Sequence, residues 1–208
     1  MLVRDRLPGS RRADSGFTLI ELLITVAIMG VIISALAGVV ISYFRNIADT
    51  QSRLTESQDV QFAATYWQRD VASMGVRIYD ETTKTFPLQD SINTTPACAL
   101  PAGDVVVTLA WSEFTSLDST DNGEVVTVSY VATGASAPYE LVRVRCTEST
   151  IDSSVEVAHS LTEPPNATCV PACSGTPEVV DLDLSVLDPD GNGTVAYSAT
   201  LSGERRQS

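Results

Sequence analysis

Between Leu22 and Phe44 the chain carries no charged residue, and beyond Phe44 its apolar positions retreat to a single stripe. At 1.5 Å rise per residue, 23 uncharged residues make roughly 35 Å of helix, enough to cross a hydrocarbon core of about 30 Å. Further on, Ala63, Trp67, Val71, Met74 and Ile78 recur at i, i+4, i+8, i+11 and i+15, one face of a 3.6-residue period. Arg53 and Glu56 stand three apart, where they can pair weakly on the solvated side. No proline falls between Pro8 and Pro87, whereas nine occur from Pro87 onward. The pattern therefore predicts one helix from about Phe17 to Val76. Its first half is apolar all round and suits lipid or a bundle, and its second half offers one face to a globular head.

From Val105 the period changes to two. Val105–Trp111, Glu124–Val131 and Tyr139–Cys146 are β-branched or alternating runs, and Asp121-Asn122-Gly123 supplies a turn between the first two. They predict an antiparallel meander. Val155–Leu161, Val179–Val186 and Thr194–Leu201 are later strand candidates. Asp181 and Asp183 lie two apart on one strand face and read as a solvated edge. Residues 80–103 and 162–178 are rich in Thr, Pro and Ala and contain cysteines, as loops held by disulfides would be. The fold class is α+β: a long N-terminal helix, half membrane and half amphipathic, packed on an antiparallel β-sheet head with disulfide-held loops.

Charge gives the chain a direction. Residues 1–16 sum to +2, residues 17–76 to −2, and residues 77–208, with six basic against 19 acidic groups, to −13. A basic tail ahead of an apolar span predicts a cytoplasmic N-terminus and an exported C-terminal head. Such an acidic head repels phosphate, so no direct nucleic-acid partner is expected. All four cysteines, Cys98, Cys146, Cys169 and Cys173, lie on the predicted exported side, where thiols oxidise. Of the three possible connectivities, the short Cys169–Cys173 loop favours a local bridge with Cys98–Cys146 as the second. A zinc site is the competing reading, but there is no C-x2-C pair and His159 is the sole histidine.

Glu21 stands at the head of the apolar run, where an ionisable group is costly, about 2.5–3.5 kcal/mol for Asp, Lys or Arg at mid-helix on insertion scales. The block from Gly16-Phe17-Thr18-Leu19-Ile20-Glu21 through Val31 resembles the N-terminal signature of type IV pilins and pseudopilins. The resemblance implies a pilin-like fold, with residues 1–16 as a leader, 17–44 as the membrane or filament-core helix, 45–78 as its amphipathic half and 79–208 as the exported head. It also implies cleavage between Gly16 and Phe17 by a prepilin peptidase, methylation of the new Phe17 amine, and pairing of Glu21 with the amine of a neighbouring subunit. Two alternatives compete: an ordinary signal anchor that keeps Glu21 hydrated at the interface, and a secretory signal peptide cleaved after Ala35-Leu36-Ala37. Farther along, Gln68-Arg69-Asp70-Val71 and Tyr139-Glu140-Leu141-Val142-Arg143 resemble W-type minor pilins and the minor pseudopilin J of type II secretion. Where major pilins often break the membrane helix with a proline, this chain has Gly30 and Gly38, which weaken a helix locally.

Other chemistry is sparse. Asp188-Pro189-Asp190-Gly191-Asn192-Gly193 matches the first half of a calcium loop, with Asp188, Asp190 and Asn192 as candidate ligands. Ala199 stands where the bidentate Glu would be, and a tight turn explains the same residues. No G-x-S-x-G or Cys–His arrangement accompanies His159, which reads as structural, and no phosphate-binding glycine loop is present, so no enzyme or cofactor is expected. The Asn93, Asn166 and Asn192 sequons are short patterns that arise by chance in Thr-rich sequence. The resemblance therefore implies a minor pilin or pseudopilin that takes part in assembly, initiation or capping of a pilus, secretion pseudopilus or competence filament. Its partners would be the prepilin peptidase, other minor and major pilins or pseudopilins, and membrane lipid before assembly. A filament-tip adhesin and an anchored exported protein unrelated to filaments are the alternatives.

Overall fold

The computed structural model describes residues 16–114, 122–188 and 195–206. The chain divides into two compact units, residues 1–46 and 47–208. Helix α1 spans Leu19–Ser73. Within the first unit every described residue is exposed, and the most apolar 18-residue window of α1 has a mean hydropathy of 2.7. The helix is thus long and apolar enough to cross a membrane.

In the second unit α1 turns amphipathic and packs on a sheet. Its buried positions are Ser52, Glu56, Val60, Ala63, Trp67, Asp70 and Val71, which continue the predicted stripe toward the N-terminus. At the other end the helix stops three residues short of Val76. Gly75 adopts φ +145°, a conformation that only glycine takes readily, and its backbone leaves the helix for the sheet. Its N–H donates to the Ala110 carbonyl at 3.0 Å, and its carbonyl accepts from Ser112 at 3.3 Å. Ile78 therefore falls outside the helix and is 45% exposed, not part of the core face. Glu56 is a second correction. It is 2% exposed and accepts hydrogen bonds from Ser52 Oγ and the Asp188 N–H, so it faces the head instead of pairing with Arg53 in solvent.

Among the described residues nine strands follow: β1 (Val76–Arg77), β2 (Leu88–Gln89), β3 (Asp104–Glu113), β4 (Glu124–Thr133), β5 (Tyr139–Thr147), β6 (Thr150–Leu161), β7 (Asn166–Val170), β8 (Val179–Val186) and β9 (Tyr197–Glu204). β1 and β2 form a small ribbon. The other seven form one antiparallel sheet, in which β3 to β5 are the predicted meander, β6 continues it, and β8 carries β7 on one side and β9 on the other. Asp181 and Asp183 are thus on an interior strand, not an edge. β7 arises within residues 162–178, read from composition as loop, and β9 begins at Tyr197 and runs beyond Leu201 to Glu204.

Period two sets the core. On β8, Val180, Leu182, Leu184 and Val186 are buried while Asp181, Asp183 and Ser185 point away. Trp67 from α1 is 0% exposed among them and donates its indole N–H to the Val180 carbonyl at 3.2 Å, so the ring's polar handle is satisfied inside the apolar layer. Cys98 is joined to Cys146 and Cys169 to Cys173, with Cα separations of 5.9 and 4.9 Å. The first ties the 80–103 segment to β5, and the second closes a short loop at the end of β7.

Candidate functional site: the first turn of α1, and the lock between helix and sheet

Thr18 caps the helix. Its carbonyl accepts the Glu21 and Leu22 N–H groups at 3.1 and 3.2 Å, and its hydroxyl lies 3.4 Å from the Glu21 N–H. Thr18 thereby takes up donors that every helix N-terminus leaves unpaired. Glu21 follows at the third helical position, where the helix dipole favours a carboxylate. Among the described residues that carboxylate has no hydrogen-bond or ion-pair partner. Phe17 is 75% exposed. Gly16 is free of local constraint: a Cβ built on it meets nothing within 4 Å.

The head holds a second polar constellation, deep in the core. Asp70 sits three residues from Trp67 on the buried face of α1. Arg143 grips it with two bonds, Nε to Oδ2 at 2.5 Å and Nη2 to Oδ1 at 2.8 Å, and the Tyr130 hydroxyl donates to Oδ2 at 2.7 Å. Tyr130 and Arg143 are direct cross-strand partners on β4 and β5, so one carboxylate pins the helix to two neighbouring strands. The ion pair is almost fully buried, with 2% and 1% side-chain exposure. Burial, then the charge of Asp70, holds the Tyr130 phenol well above its ordinary range. For Arg143, burial disfavours the charge, but the hydrogen bonds and charge of Asp70 outweigh it and raise the pKa. The Tyr66 ring is within cation–π distance of two guanidinium groups, 5.1 Å from that of Arg143 and 5.2 Å from that of Arg69.

Asp70 and Arg143 stand in two separate stretches of sequence, and nothing local joins them. A usable signal was present. Asp70 falls inside the apolar stripe, and a buried carboxylate demands a cation.

His159 meets α1 as well: its Nδ1 lies 3.0 Å from Asp59 Oδ2. Burial raises the Asp59 pKa, with His159 opposing and Glu156 and Asp188 adding to the rise. Of the candidate calcium ligands, Asp188 lies beside Glu56 through its own N–H, while Asp190 and Asn192 lie outside the described residues. Among the described residues no three His, Cys, Asp or Glu side chains are grouped to hold a metal. Asn93, from one of the sequons, donates its side-chain amide to the Cys173 carbonyl at 3.0 Å.

Comparison with known proteins adds one finding. Residues 11–37 match the family model described as "Prokaryotic N-terminal methylation motif". The matched stretch contains Gly16, Phe17 and Glu21. Together with the long apolar helix on an antiparallel, disulfide-bearing head, it supports a type IV pilin-like protein. That motif marks structural subunits and implies processing by prepilin peptidase and partners of the pilin type. No curated protein and no solved structure matches the chain.

Proposed function

We propose that this chain is a minor pilin or pseudopilin, stored in the membrane through α1, cleaved between Gly16 and Phe17, and built into a filament as an initiating or capping subunit. The observation that carries the reading is Glu21: a carboxylate without a partner among the described residues, at the head of a helix whose apolar first half is exposed throughout. A buried carboxylate is stabilised by a nearby cation and otherwise tends to be neutralised. Cleavage after Gly16 creates an amine four residues from Glu21, and a neighbouring subunit in a filament brings such an amine alongside. Gly16 suits an extended, unobstructed peptide at a protease site. The +2 tail and the two disulfides favour a cytoplasmic N-terminus with an exported head. The irregular head, with its short ribbon and two bridged loops, suits a special position more than a repeated one.

Glu21→Ala tests the central step. Membrane insertion and cleavage should persist, while recovery of the protein in sheared filaments should fall at least about tenfold. Normal recovery would show that the carboxylate has another role. Abundant labelling along the whole filament would defeat the minor-subunit assignment.

A further inference from the structure

The sheet has three outer flanks besides β9, and each is guarded. β3 is covered over Thr108–Ser112, where Gly75, Ser91 and Asn93 bond its outward backbone groups at 2.7 to 3.3 Å. β7 is five residues long, and the Cys169–Cys173 loop folds over its end. β6 leaves most of its length unpaired beyond β5, but it carries Asp152 and Glu156 and runs against β5 with three register shifts. Charges, short length and irregular register are the usual devices that keep a strand edge from recruiting another chain.

β9 has none of them. All eight residues from Tyr197 to Glu204 pair with β8 without a register shift. The strand contains no proline, lysine or arginine, and its one charge is the terminal Glu204. Among the described residues no strand lies on its other side. Alternate N–H and C=O groups of β9 therefore point outward along a regular edge.

We propose that this edge accepts an extended segment of another polypeptide, which adds to the sheet as an antiparallel or parallel strand beside β9. The two faces state its chemistry. On the core side the neighbours are Tyr197, 39% exposed, partly buried Ala199 and buried Leu201, with Val195, 69% exposed, just ahead, so alternate residues of the incoming segment are apolar. On the outer side the neighbours are Ser198, Thr200 and Ser202, backed on β8 by Asp181 and Asp183. Asp181 Oδ1 is screened from water and has no hydrogen-bond partner, and Asp183 with Glu163 lines an open groove of about 450 Å³ on this side. The residues between the apolar ones are therefore basic or hydroxylic. A second copy fits poorly, because residues 77–208 carry −13 and two such heads repel. Backbone pairing supplies affinity and the alternating side chains supply selectivity. The inference stands apart from the filament assignment and holds whether or not Glu21 directs assembly.

Hydrogen exchange read by mass spectrometry on the full chain in detergent micelles tests this. The probe is a synthetic peptide that alternates valine with lysine and threonine, and the comparison peptide carries glutamate for lysine. The lysine peptide should slow exchange across 195–206 at least about tenfold, with the glutamate peptide much weaker. Because backbone N–H groups alternate in direction, one of Ala199→Pro and Thr200→Pro removes an outward donor and the other a bond to β8. The variant that keeps the parental melting temperature should lose the peptide's effect. Unchanged exchange in the parental chain, or equal protection by both peptides, would overturn the proposal. So would slowing that appears with protein concentration alone, which would assign the edge to a second copy.

Discussion

Replacing Asp70 with alanine leaves a guanidinium and a phenol in the core with nothing to meet them. At 2% and 1% side-chain exposure the Arg143–Asp70 pair has no water to screen it, so the discount that applies to surface salt bridges is absent. Breaking one partner of such a pair costs about 3–5 kcal/mol, most of it the penalty of the orphaned charge. The Tyr66 ring, 5.1 Å from the Arg143 guanidinium, keeps part of its attraction for the cation and draws the figure toward the lower end. For a domain of this size each kcal/mol moves the melting temperature by roughly 2–4 °C, so Asp70→Ala should lower it by about 6–20 °C. Urea unfolding of the full chain in micelles can be followed by the fluorescence of Trp67 and Trp111, 0% and 7% exposed. The informative comparison is the double variant Asp70→Leu with Arg143→Met. It removes both charges together, so its cost should be smaller than that of either single change and far from additive. A cost below about 1 kcal/mol for Asp70→Ala, or additive single changes, would refute the view that this pair locks helix to sheet.

Other outcomes follow from the same geometry. At Gly203 an added Cβ would stand 2.6 Å from Val71 Cβ, so Gly203→Ala should destabilise by about 1–3 kcal/mol, and an unchanged melting temperature would mean that β9 and α1 are not in close contact there. Removing Cys98–Cys146, whose ends are 48 residues apart, should cost about 4 kcal/mol by loop entropy, against about 2 kcal/mol for Cys169–Cys173 with a separation of 4; equilibrium unfolding of the two double-alanine variants checks that order. Asp59 has a raised folded pKa, so the folded chain holds its proton more tightly than the unfolded chain does. Its contribution is complete below 3.8 and is lost as pH rises through the elevated folded value. The melting temperature of the parental chain minus that of Asp59→Asn should therefore fall with rising pH across that interval, and a difference that is flat or rises would contradict the assignment.

Much of this architecture was legible because period and β-branching carry it. The stripe through Ala63, Trp67, Val71 and Met74 marks the face of α1 that is buried, and β3, β4, β5 and β8 coincide with alternating Val-rich runs. Two things hide the rest: polar residues at buried positions, and pairing between residues far apart in the chain. Asp70 and Glu56 continue the buried face of α1, yet a hydrophobic pattern counts them as solvent. Asp181 and Asp183 looked like an edge because alternation identifies a wet face and cannot say how many strands flank it. The helix end was misplaced because Gly75 turns on the pairing of its backbone with β3, a contact between residues 35 or more positions apart. β7 is short and Thr-rich, and only its pairing with β8 makes it a strand. At the candidate site the balance is reversed. Gly16, Phe17 and Glu21 stand out in local sequence alone, and the roles proposed for them call on partners outside the chain.

The central claim is that the N-terminus of this chain is made by cleavage and that Glu21 answers to the amine created there. Mass spectrometry of the N-terminal peptide of protein recovered from its native membrane tests it most directly. The account predicts a chain that begins at Phe17 and carries one methyl group on its amine. An intact Met1, or a chain that begins at Gly38 after cleavage behind Ala37, would contradict it.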